Sequence, residues 1–510
     1  MADQLFYSIY RNIFLHNVIL QHKCNNLELE ISVSYLNQYH RYLSKLDCEN
    51  YNRNIFVPIS SDEEADKYLE SNYKHLITRL SIVDDIAVSK QQAVLSQLPD
   101  NLKSLEQAYG FFGNYGSNLK KLEIDFRFTP IHKDFAQDTL PKNLTSLWIN
   151  GYNGAIGKDV LPDSLTDLNI VCSNAQQLSN CYSSTNNPLN IYLTITDPIQ
   201  RPVFLNRKHH FKYLDLTIEN VAFEVGDIPD TVQTLSLRGL GELQANVIPA
   251  SVTDLELSHY NFQFKSGDLP QGLLKLYASQ YNQPLEPNVL PSGIIDLSLK
   301  SFNHPLVANT LPSSLLELRL HAFDQPLLPN ILPNKLESLV LVDHSQTIQC
   351  DVLPNSLKQL FVKHTTPFTS SQCFPSSLSK LEIDVFDGTP GFMQLIPESV
   401  KTLYLDFVHR SPQHQNITFD GHVSLPQHIT SLTLGWSVYT IPSSFLPQSL
   451  LRLSIENFET VIQPADETQQ SIYPPNLQTL KVVTDYPYPL PLPESLKVLI
   501  EGYKLVMITK

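Results

Sequence analysis

From Pro249 onward one arrangement of apolar and polar residues keeps returning: IPASVTDLEL, LPQGLLKLYA, LPSGIIDLSL, LPSSLLELRL, LPNKLESLVL, LPNSLKQLFV, FPSSLSKLEI. The prolines stand at 249, 270, 291, 312, 333, 354 and 375, each following the last by the same step. Apolar side chains follow each proline by three, six and eight positions, and mostly polar ones by five, seven and nine. Alternation with period two predicts a short strand with one face buried. The same frame continues through Pro99, Pro141, Pro162 and Pro229 on one side and Pro397, Pro426, Pro447, Pro474 and Pro493 on the other. Units without the proline are legible at 75–82, 117–124, 190–195 and 209–218.

Strands that recur at this interval are too far apart for tight hairpins, so the expected arrangement is parallel, one strand per coil. A single coil cannot bury its own leucine face, and stacking on neighbouring coils supplies the core. Eleven positions after the proline an aromatic is followed by Asn or Asp, as in Tyr260-Asn261, Tyr281-Asn282, Phe302-Asn303 and Phe323-Asp324. Three positions before the next proline stands Asn or Asp: Asp138, Asp159, Asn246, Asn288, Asn309, Asn330, Asp351. Such side chains are expected to pair turn backbone inside the coil. Prolines at 284, 305 and 326 disfavour a helix there, so the return side should be extended, with little helix.

L-x-x-L-x-L at a short fixed period resembles the leucine-rich repeat. SFNHPLVANTLPSSLLELRL and SQYNQPLEPNVLPSGIIDLSL look like the FNIP repeat, with Phe302-Asn303-His304-Pro305 and Tyr281-Asn282-Gln283-Pro284 as its core. The fold expected is therefore a leucine-rich-repeat-like solenoid over 74–510, ~20 coils, with a long parallel sheet on its concave face. The longer intervals from Pro397 to Pro426 and from Pro447 to Pro474 predict looped-out segments or a locally irregular stack.

Residues 1–73 lie outside the repeat in sequence. Apolar spacing predicts an amphipathic helix over about 3–22, a second within 33–46, and a short one after Ser61 in SDEEADKYLE. The expectation is a helical N-terminal cap on the first coil. The alternative is an adaptor-binding module, since LFYSIYRNIFLHNVIL is similar to the F-box-like segment of some proteins that carry this repeat.

With 36 Lys+Arg against 51 Asp+Glu the net charge is −15, which argues against non-specific nucleic-acid binding. No apolar stretch reaches membrane-spanning length and no secretory signal opens the chain, so a soluble, cytoplasmic protein is expected. The six cysteines show no metal or framework spacing and are expected to be reduced thiols. Phosphate-binding, zinc-protease and nucleophile-elbow motifs are absent. His209-His210, the group His409, His414, His422 and His428, and the paired carboxylates Asp254/Glu256 and Glu382/Asp384 are read as solvated surface. No catalytic residue, metal or cofactor is expected.

The positions five, seven and nine after the proline should line the concave face. They read Lys121/Glu123/Asp125, Ser146/Trp148/Asn150, Asp254/Glu256/Ser258, Lys275/Tyr277/Ser279, Asp296/Ser298/Lys300, Glu317/Arg319/His321, Gln359/Phe361/Lys363 and Thr402/Tyr404/Asp406. Mixed charge with Trp, Tyr and Arg anchors suits a protein partner. The candidate contact residues are Trp148, Asp254, Glu256, Tyr277, Arg319, His321, Phe361 and Tyr404. The function expected is a non-catalytic protein-binding scaffold, with a ubiquitin-ligase substrate receptor as the alternative and a divergent enzyme as a distant third.

Overall fold

The computed structural model describes residues 28–44, 54–109 except 84, 115–127, 139–152, 160–172, 190–199, 210–218, 223–362, 370–386, 390–408, 424–435, 439–457, 460–464, 472–483, 492–501 and 504–507, with isolated positions between them. The expected helix over 3–22 and the F-box-like stretch lie outside the described residues. The chain divides into two compact units, Met1–Leu237 and Arg238–Lys510.

The second unit is the most regular. Its short strands Asp254–Ser258, Lys275–Tyr277, Asp296–Ser298, Glu317–Leu320, Ser338–Leu341, Gln359–Val362 and Lys380–Phe386 pair in parallel, each with the next. The register places Leu276, Leu297, Leu318, Leu339, Leu360 and Leu381 side by side. All are buried. Burying one such side chain contributes about 1.5–3 kcal/mol, and here its contacts come from the coil before and the coil after.

Each recurring position of the repeat unit has a backbone reason. The amide of Leu315 donates to the carbonyl of Pro312 (3.1 Å), closing a tight turn, and Leu273 does the same to Pro270. The serine before that leucine ties coil to coil: Ser314 Oγ donates to the Ile294 carbonyl (2.6 Å), Ser356 to Leu336 and Ser377 to Leu357. On the return side, the amide of Asn282 donates to Asn261 Oδ1, that of Asn303 to Asn282 Oδ1, and that of Asp324 to Asn303 Oδ1, at 2.8–2.9 Å. These side chains satisfy amides that the return segment leaves without a strand partner.

The aromatics beside them form a buried row. Tyr281, Phe302 and Phe323 are stacked with ring centroids 6.4 and 6.2 Å apart, and His344 continues the row 5.8 Å from Phe323. The residues three before the proline play a conformational role rather than the side-chain pairing expected for them. Asn246, Asn288, Asn309, Asn330 and Asp351 have φ between 64° and 71°, and glycine takes the place at Gly267 (φ 93°). Asn and Asp tolerate this left-handed region far better than other L-residues. Asp138 and Asp159 fall outside the described residues.

Beyond residue 397 the coils also carry a second, three-stranded sheet. Ile417–Thr418, Tyr439–Pro442 and Val461–Gln463 pair in parallel with one another, apart from the main-sheet strands Ser431–Leu434 and Arg452–Ile455.

In the first unit the parallel sheet reaches back into the N-terminal segment. Glu28–Glu30 pairs with Asn54–Ile59, and that strand with Arg79–Ile82. Helices α1 (Val33–Leu43), α2 (Asp62–Glu70) and α3 (Val88–Leu95) follow these strands in turn, so the opening coils return through helix. Ser61 caps the start of α2, its Oγ accepting from the Glu64 amide, with Asp62, Glu63 and Glu64 in the first turn, and the Glu64 carboxylate accepts from the Val33 amide at the start of α1. Proline is absent from all three helices, whereas the regular coils carry it at fixed return positions. The opening return segments are therefore free to be α-helical.

One expectation is corrected. Cys350 and Cys373, 23 residues apart, form a disulfide. Spacing along the chain does not reveal this pair, because it is one turn of the coil that brings the two positions together.

Replacing Asn309 by Ala should lower stability by about 1–2 kcal/mol, the cost of a left-handed residue that carries a Cβ, while Asn309→Gly should be nearly neutral. Leu318→Ala should cost about 2–5 kcal/mol. Equilibrium urea denaturation checks both.

Candidate functional site

The outward row of the second unit's sheet holds most of the candidate contact residues, and many of them are bonded to one another. Asp296 is the hub. It accepts from Tyr277 Oη on Oδ2 (2.6 Å) and from Arg319 Nη1 on Oδ1 (2.6 Å), while Arg319 Nη2 donates to Glu317 Oε2. Lys275 Nζ sits 2.9 Å from Asp254 Oδ1, Ser258 Oγ donates to Glu256, and Lys380 pairs with Glu382. Tyr404 Oη meets Glu456 Oε2 at 3.3 Å, two coils further on. The hydroxyl passes over Gly435, where a Cβ would lie 2.6 Å from both Tyr404 Oη and Asp406 Cγ. Burial, then the bond to Asp296, pushes the Tyr277 phenol well above its ordinary value.

The network is interrupted at the strand Ser338–Leu341. There the outward residues are Ser338, Val340 and Val342, and a depression of about 310 Å³ opens. Its lining includes His321, Val340, Phe361, Lys380 and Glu382. Burial, then the nearby Lys300 charge, holds the His321 imidazole below its usual range, so the rim contributes a neutral ring.

The structure thus brings His321 and Phe361 to one depression and joins Tyr277 to Arg319 through Asp296. Asp254, Glu256 and Tyr404 stand elsewhere on the same face. Trp148 belongs to the first unit and is 45% exposed. The paired carboxylates have ordinary uses: Asp254 takes Lys275, and Glu382 takes Lys380. Among the described residues no group of His, Cys, Asp and Glu has the arrangement of a metal site, and no helix is long and apolar enough to cross a membrane. His209, His409, His414 and His422 lie outside the described residues. Sequence reasoning passed over Val340, whose signal was an aliphatic residue at a position held elsewhere by polar or aromatic ones. It also left Asp296 out of the contact set, because its role depends on two neighbouring coils.

His344 ends the aromatic row where the other coils place Phe or Tyr. It is buried against Phe323, whose carbonyl its Nδ1 meets at 3.1 Å. Burial depresses its pKa below the ordinary 6.5. The unfolded chain therefore binds the proton more readily, and stability falls as pH drops below about 6.5 toward the folded-state value. His344→Phe should remove this part of the pH dependence while keeping the stack. Melting temperatures of both proteins between pH 8 and 5 are the check.

Three stretches, 132–173, 281–322 and 323–363, match the FNIP Repeat family. No curated protein matches the chain in sequence. Among solved structures, the circular LRR protein CroV588 is similar at 21% identity and a TM-score of 0.46, over 93% of this chain and 69% of that one. YopM from Yersinia enterocolitica is similar at 18% identity and a TM-score of 0.40, over 80% of this chain and 88% of that one. The chain thus carries FNIP repeats in three places, within a solenoid of short parallel strands, one to each coil.

Proposed function

We propose that the protein is a non-catalytic scaffold that grips a partner protein with the concave face of its sheet. The observation that carries this reading is the depression around Val340, an apolar floor with His321, Gln359 and the Lys380–Glu382 ion pair on its rim. An apolar centre ringed by polar groups is the arrangement of an interface hot spot. Arg319 and Tyr277 are held in place by Asp296 before any partner arrives, so little rotamer entropy is lost on binding. The partner contributes one apolar side chain to Val340 and Phe361, with polar groups facing His321 and Lys380.

For residues 1–73 we propose a covering role. The short strand Glu28–Glu30 is acidic at both ends, which discourages further pairing at an edge, and α1 packs against α2, which in turn packs against the strand Asn54–Ile59. The substrate-receptor alternative draws on the segment outside the described residues, and no described feature favours it.

Val340→Lys puts a charge on the floor and leaves the leucine core untouched. With a partner recovered by proximity labelling and then purified, the variant should bind at least tenfold more weakly at unchanged melting temperature. Phe361→Ala should weaken binding by about 2 kcal/mol. Undiminished binding by both, measured calorimetrically, would sink the reading.

A further inference from the structure

The first unit carries a different arrangement on its outward row. The Arg79 guanidinium lies 4.4 Å from the centroid of the Phe56 ring. Its Nε and Nη2 donate to the two carboxylate oxygens of Glu106, at 2.8 and 2.9 Å. An aromatic face and a forked carboxylate together make a complete guanidinium site, here filled by the chain's own arginine.

Further along the same sheet the two components recur without the cation. Glu123 and Trp148 are direct cross-strand partners. Trp148 is 45% exposed, and the row continues through the half-buried Asn169, Tyr192 and Tyr213. The neighbouring carboxylates are occupied. Glu106 takes Arg79, Asp125 takes Arg127 at 2.6 Å, and Asp167 accepts from Asn190 and Thr166. Glu123 is half-buried and has no hydrogen bond or ion pair among the described residues. Burial, then the charges of Glu106 and Asp125, raises its carboxyl above the ordinary range against a partial offset from the Arg127 charge, and an incoming cation in contact would relieve the rest.

We propose that Glu123 and Trp148 receive an arginine side chain of a partner protein, its guanidinium lying on the indole and forked onto the carboxylate. This rests on the reading of the sheet face as a binding surface and names the chemistry it selects. Arginine fits better than lysine because only a planar guanidinium stacks and pairs bidentately at once. The net charge of −15 draws a cationic partner toward the protein from a distance.

The test uses the full chain with Trp436→Phe, so that Trp148 is the sole indole. Hexa-arginine, hexa-lysine and the uncharged isostere hexa-citrulline are titrated while Trp148 emission is followed. Hexa-arginine should shift the emission saturably and bind at least fivefold more tightly than hexa-lysine, and hexa-citrulline should give no shift. Glu123→Gln should weaken hexa-arginine at least fivefold, whereas Glu286→Gln, on the other unit, should leave it unchanged. Equal effects of the two substitutions, or equal affinity for the two cationic peptides, would mean non-specific attraction and overturn the proposal. A purified partner lost by Val340→Lys but retained by Glu123→Gln would overturn the arginine site alone. Loss by Glu123→Gln with retention by Val340→Lys would support it and remove the depression instead.

Discussion

Everything in this protein depends on leucines that no coil can bury by itself. Leu276, Leu297, Leu318, Leu339 and Leu360 stand in one register, and each is covered by its neighbours in the sequence of coils. The consequence is a strict demand on period. A residue gained or lost within a strand would turn its leucines outward, whereas one added on the return side leaves the strand register alone. That asymmetry is visible in the chain. Strand registers run without a break from Asp254 to Val408, and across the longer steps from Pro397 to Pro426 and from Pro447 to Pro474 the main sheet keeps its pairing of Thr402–Leu405 with Ser431–Leu434 and of Arg452–Ile455 with Thr479–Val482.

The return side solves a different problem, that of backbone groups without strand partners. The opening coils solve it with helices, whose hydrogen bonds are internal. The regular coils solve it with Asn and Asp side chains that accept the next coil's amide, as in Asn261, Asn282 and Asn303. The aromatic beside each of them fills the space between sheet and return segment. This accounts for the Phe-Asn pair as a structural unit: the ring fills volume, the amide side chain satisfies a donor, and a left-handed Asn or Gly three positions before the next proline turns the chain. The rings are buried and the Asn side chains are engaged with the next coil, and the outward strand positions are where side chains differ most from coil to coil.

On that surface, most of the charge is used internally. Asp296 holds Tyr277 and Arg319, and Lys275 holds Asp254. Partly exposed pairs of this kind add little stability, since solvent screens them and both side chains lose freedom. Their effect is to fix positions. Function is then to be sought where the pairing fails: the aliphatic floor at Val340, and the lone carboxylate Glu123 beside the exposed Trp148.

The coil, its period and its buried leucines were legible along the chain, although Asp125 and Ser298, assigned there to the open face, are buried. These follow from spacing alone, because a strand alternates every second residue and Pro, Asn and Gly restrict the backbone locally. The sequence did not disclose that Glu28–Glu30 and Asn54–Ile59 join the sheet, since those strands lack the Leu-Pro frame. Nor did it disclose the Cys350–Cys373 bond or the Asp296 hub, and it left Glu123 indistinguishable from its neighbours. Each of these depends on distances between adjacent coils and on how far a given side chain reaches. Partners lie a whole coil apart along the chain and become neighbours only when the coils stack. Local propensity carries the period; three-dimensional proximity alone decides which charges find each other and which are left for a partner.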